Sequence, residues 1–124
     1  MPTNLFGQNQ GRVVYTVTCT VTNRKDAPVR GLTVRDVIPV AEGPTIKVVL
    51  AKPAGLAEME EGQDLEVEQG VWIHWCKSVR EKGGMKEGRL EWRVDLESRE
   101  SKALVLEWEV VSPPGNRWGF QVQK

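Results

Sequence analysis

A chain of 124 residues is the usual size of one domain and long enough to bury most of the apolar surface of one core, so residues 1–124 read as a single unit. With 40% hydrophobic and 27% charged residues it is too apolar for a disordered tail, and 17 basic against 17 acidic residues leave no whole-domain field to attract a nucleic acid. No apolar run is long enough to span a bilayer, and residues 1–11 lack the charged-then-apolar pattern of a signal peptide, so a membrane is not expected as a partner.

Residues 12–23 alternate, with Val13, Tyr15, Val17, Cys19 and Val21 on one parity and Thr16, Thr18, Thr20 and Thr22 on the other. This is the period of a half-buried strand. Residues 23–28 collect Asn, Asp and Pro, which bend a chain, and predict a hairpin turn. A second strand places Leu32, Val34 and Ile38 on one face and ends at Pro39, which has no N–H to give. Asp36 falls on the same parity and is expected to cap the Pro39 turn or to sit beside a bulge. A third strand over residues 45–50 turns Ile46, Val48 and Leu50 one way.

Residues 54–70 are acidic and read mostly as solvated loop, with a short edge strand over 64–67. Residues 71–76 suit a strand, but six residues rich in aromatic and β-branched types do not decide whether Val71, Ile73 and Trp75 or Trp72, His74 and Cys76 point inward. The basic, glycine-containing stretch 77–88 reads as a long, mobile hairpin loop. Leu90, Trp92, Val94 and Leu96 then alternate with charges, and after a polar turn at 97–101 so do Leu104, Leu106, Trp108 and Val110, which predicts a second hairpin. Phe120 and Val122 suggest a last short strand.

About seven strands with turn signals between them and no helical periodicity predict an all-β fold, an immunoglobulin-like antiparallel β-sandwich. Trp92 and Trp108 are its natural centre. Each could bury about 150 to 250 Å², or about 4 to 6 kcal/mol before entropy and packing corrections. An alanine at position 108 is expected to unfold the domain or nearly so.

The chemistry-bearing residues are few. His74 is the only histidine, so multi-histidine metal sites are out; with Cys76 and Cys19 it makes three ligands, one short of a closed zinc site. No serine lies in a nucleophile-elbow context. Glu107 and Glu109 point the same way but oppose Trp108 on the solvent face, and the Gly83-Gly84 pair lacks phosphate-loop spacing. These readings predict no catalytic residue, no cofactor and no metal. The two cysteines, either bridged between sheets or buried as small hydrophobes, are too few for a secreted disulfide scaffold; with no Asn-x-Ser/Thr sequence, they lean towards the cytoplasm. Five tryptophans are a biased choice, and Trp72, Trp75 and Trp118 are the candidates for an interaction surface that grips a protein or a sugar unless flanking loops cover them.

Residues 15–23 (YTVTCTVTN) and 32–40 (LTVRDVIPV) resemble the strand, Asn turn and V-x-D-x-I-P opening of the C-terminal domain of mucoidy inhibitor A-like proteins, and residues 46–50, 88–96 and 104–110 continue the order. The opening also looks like immunoglobulin-like repeats of surface adhesins. The resemblance implies a domain of unknown function that forms the C-terminal part of a longer protein, and it names no catalytic residue. Residues 72–75 and the basic loop after them depart from the family pattern, which puts any specialised role there. The expected role is therefore non-catalytic: protein contacts, or self-association by edge-strand pairing, with carbohydrate binding through exposed Trp as the alternative.

Overall fold

The structure, a computed structural model, describes residues 11–41, 43–80 and 84–112. Seven strands run through them: β1 (Gly11–Thr22), β2 (Val29–Val37), β3 (Lys47–Lys52), β4 (Leu65–Glu68), β5 (Val71–Trp75), β6 (Arg89–Leu96) and β7 (Ser101–Ser112). They form two antiparallel sheets, ordered β1-β7-β3 and β2-β6-β5-β4, and the predicted all-β sandwich is what the chain builds. The core lies between them, because the two-residue rhythm of β6 and of most of β7 turns one face of each to the interior. Leu90, Trp92, Val94 and Leu96 of β6 face Leu104, Leu106 and Trp108 of β7, with Val71, Ile73, Trp75, Leu50, Leu56 and Ile38 filling the rest. No helix among the described residues is long and apolar enough to cross a membrane. The suggested strand at Phe120 and Val122 lies outside the described residues.

Both expected hairpins are corrected. β1 pairs with β7, from Gly11 opposite Ser112 to Thr22 opposite Ser101, and β2 pairs with β6. The turns after β1 and after β6 therefore carry the chain from one sheet to the other. Alternation tells which face of a strand is buried, not whether its sequence neighbour lies beside it or across the core, and here β6 and β7 meet face to face.

Asn23 holds the two crossings together. It is 4% exposed. Its amide donates to Glu100 O at 2.8 Å, its Nδ2 donates to Ala27 O at 2.9 Å and Glu97 O at 3.0 Å, and its Oδ1 accepts from the Lys25 amide at 3.0 Å. One short side chain thus satisfies backbone groups of both crossings, which is what a buried amide must do to remain inside.

In β2 the pairing with β6 shifts between Val29 and Leu32, where Gly31 has φ +71°, a left-handed conformation that suits glycine. The Gly31 amide donates to Asp95 Oδ1 at 2.8 Å and fixes the bulge. Asp36 lies away from that bulge and accepts the amide of Val37 at 2.8 Å, so it caps the strand end locally and leaves the Pro39 turn alone. The short strand predicted in the acidic stretch is β4, and the loop between β5 and β6 does close a hairpin.

Candidate functional site

β5 alternates buried and half-buried residues because it lies inside the four-stranded sheet, where its inward side chains meet Leu90, Trp92 and Val94 of β6. Val71, Ile73 and Trp75 take the inner face. Trp75 is consequently corrected from a candidate surface residue to a core residue, with its indole N–H satisfied by Leu56 O at 2.8 Å. Trp118 lies outside the described residues. Of the three candidates, Trp72 is placed on an outer face, half-buried, with the Arg93 guanidinium 4.6 Å from its ring centroid.

From Trp72 a chain of charged contacts crosses that outer face. Arg93 reaches Asp64 Oδ2 at 3.1 Å, and Asp64 Oδ1 meets His74 Nδ1 at 3.1 Å. His74 Nε2 lies 3.3 Å from Glu91, whose other oxygen binds Arg35 at 3.1 Å. Cation and ring cover one another, as guanidinium over indole does elsewhere. A sugar stacking on that ring face would have to displace Arg93. Beside Trp72 a cleft of about 610 Å³ is lined by Arg30, Glu66, Glu68, Glu97 and Lys102 among others. Its cations are already engaged: Arg30 with Glu97 at 2.9 Å, and Lys102 with Gln69 O at 2.8 Å.

The arrangement around His74 and Cys76 offers no activated nucleophile. Burial, and then the Glu91 carboxylate, push the Cys76 thiol above its ordinary pKa, which favours the protonated form. Cys19 packs against the core from β1, in the other sheet from the outer face that carries His74, so the three residues do not converge. Both cysteines are free thiols. Among the described residues no three His, Cys, Asp or Glu side chains gather as a metal site would need. Glu107 and Glu109 engage β1, through the Thr16 hydroxyl at 3.0 Å and Arg12 at 3.5 Å.

Glu61, which the sequence presents as one more solvated acid, is instead an anchor. Its carboxylate accepts the Ser78 amide at 2.9 Å, the Ser78 hydroxyl at 2.8 Å and the Met85 amide at 2.7 Å. The hairpin loop expected to be mobile is thereby pinned at both its described ends. A Cβ at Gly84, φ +66°, would collide with that carboxylate and with Cys76 O, so the close approach needs glycine. The Ser78 amide first, then the Met85 amide and the Ser78 hydroxyl, hold the Glu61 carboxyl below its ordinary pKa. A carboxyl whose folded value is depressed contributes stability that is present above its unfolded value and is lost as pH falls through the folded value. Acidification is therefore expected to erase the difference in urea midpoint between the wild type and Glu61→Gln. A difference that stays constant from neutral pH down through the carboxylate range would count against this role.

Several exposed apolar residues lie close together on β1. On the inner face of its sheet, Leu50, Trp108 and Tyr15 form one row across β3, β7 and β1; Val48, Val110 and Val13 form the next, and Leu106 and Val17 a third. Leu106 is 1% and Trp108 9% exposed, but Val13 is 37%, Tyr15 46% and Val17 45% exposed, while Cys19 and Val21 are half-buried. The facing sheet thus covers β7, β3 and only the far end of β1. Tyr15 stacks on Trp108 with centroids 5.8 Å apart. The remaining edge of β1, twelve residues long, carries no partner among the described residues.

The class that fold and site define is a β-sandwich without a recognisable catalytic constellation among its described residues. The chain belongs to the family described as Domain of unknown function (DUF4139), which matches it over residues 3–114. No curated protein and no solved structure matches the chain.

Proposed function

We propose that this chain is the C-terminal domain of a longer, mucoidy inhibitor A-like protein of the cytoplasm, and that it is a non-catalytic contact domain working through the free edge of β1. It is immunoglobulin-like in strand number and two-layer plan, with its own strand order. The observation that carries the reading is the overhang of Val13, Tyr15 and Val17 beside an edge that is unpaired among the described residues. Exposed edges are templates for strand addition, and β1 is long, contains no Pro, keeps an unbroken register with β7 and has no covering element on its outer edge among the described residues. Its one charge, Arg12, is engaged by Glu109. The alternative, a sugar held by Trp72, is less favoured because Arg93 already occupies a face of that ring.

Amide hydrogen exchange over residues 12–17 tests the reading. Exchange is expected to be fast in the dilute isolated domain and slowed in the longer protein or in concentrated solution. Equal, fast exchange in all three settings would sink it.

A further inference from the structure

Resting on that reading, we propose that the partner of β1 is β1 of a second copy, paired antiparallel about a two-fold axis that lies midway between the two opposed Tyr15 residues, normal to the sheet. Antiparallel ladders alternate hydrogen-bonded and non-hydrogen-bonded pairs, so an axis centred on one opposed pair gives a regular ladder. An axis normal to the sheet also keeps both inner faces on one side.

The register follows from the sequence around Tyr15. Val13, Tyr15 and Val17 read nearly the same in both directions, so the axis sets Val13 against Val17 of the second copy, Tyr15 against its counterpart, and Val17 against Val13. The three overhanging residues of each copy are then matched only with the overhang of the other, and aromatic and β-branched pairs of this kind stabilise a ladder. On the outer face Arg12 meets Thr18 and Val14 meets Thr16, so no like charges oppose. The axes at Thr16 and Cys19 do worse. The first sets Val13 against Cys19, which the facing sheet already half covers, and the second sets Tyr15 against Asn23, which is buried in its crossing. The product is a continuous six-stranded sheet, β3-β7-β1 joined to the β1-β7-β3 of the second copy.

Light scattering of the purified chain over a range of concentrations is expected to show a monomer giving way to a dimer. In a background with Cys19→Ser and Cys76→Ser, chains carrying Val13→Cys mixed with chains carrying Val17→Cys are expected to form a mixed disulfide under mild oxidation. Directly opposed residues lie about 4.5 to 5.5 Å apart between Cα atoms, within disulfide reach. Either variant alone is expected not to cross-link, and neither is Thr16→Cys. Tyr15→Arg, which opposes like charges at the axis and removes apolar area, is expected to weaken the dimer at least about tenfold, while Tyr15→Phe keeps it. Far-ultraviolet circular dichroism confirms that each variant is folded.

A chain that stays monomeric at every concentration, or Thr16→Cys chains that cross-link with themselves, would overturn the proposal. A monomer whose residues 12–17 exchange fast in the dilute isolated domain but slowly in the longer protein would refute self-pairing and leave the contact reading intact; slow exchange in the isolated monomer would mean that the chain covers its own edge and would refute both. Fast exchange everywhere would refute both.

Discussion

Trp92→Ala is expected to lower stability by about 3 to 5 kcal/mol, a large share of the roughly 5 to 15 kcal/mol that holds a domain of this size folded. The ring is 1% exposed and sits on β6 between Val34 of β2 and Ile73 of β5, so an alanine leaves a cavity that three strands would have to shift to close. With a urea slope of about 1 to 3 kcal/mol per molar, the midpoint falls by about 2 M. Trp108→Ala is expected to cost less than the sequence suggests. That ring lies at the uncovered side of the sandwich, 9% exposed, with Tyr15 stacked on it. Trp92→Phe is expected to be mild, because the Trp92 indole N–H has no partner among the described residues, so its removal breaks no hydrogen bond seen there. A midpoint for Trp92→Ala within experimental error of the wild type would show that the core is not centred there.

The second large effect belongs to Asn23→Ala, expected to cost about 2 to 4 kcal/mol. The substitution leaves the carbonyls of Ala27 and Glu97 and the amide of Lys25 without their Asn23 partner in a partly buried place. Asn23→Asp keeps the acceptor but turns a carboxylate on two carbonyl oxygens, so it should be no better than alanine. Asp26→Ala, on the same crossing, removes an ion pair with Arg99 whose carboxylate side is 88% exposed, and a change near zero is expected. Equal urea midpoints for Asn23→Ala and Asp26→Ala would refute the clasp.

Particular residues show how far the sequence could be read. Strands β6 and β7 are legible almost to the residue, because Leu90 to Leu96 and Leu104 to Trp108 alternate without interruption and period two admits one buried face. The crossings are not legible, since Asn and Pro bend a chain equally well into a hairpin or across a core, and the partners of Asn23 include Glu97, 74 positions away. The same limit hid Glu61, whose partners Ser78 and Met85 lie 17 and 24 positions on, so nothing beside it marks it off from Glu58 or Glu60. Trp72 and Trp75 could not be told apart, because both are apolar and the choice was made by β6. The overhang of Val13, Tyr15 and Val17 was invisible for another reason: alternation names the inner face of β1, but where the opposite sheet stops is a property of the whole sandwich.

The pairing of β1 with β7 also sets an order of assembly. As the chain is synthesised, the twelve residues of β1 emerge first and the strand that receives them emerges last among the seven. β2, β4, β5 and β6 can zip together before that, since β4, β5 and β6 meet in sequence order. Until β7 arrives, β1 is a long β-branched ribbon that lacks the one strand it pairs with among the described residues, and such late, distant closures make folding slow and leave nascent chains open to sticking to one another.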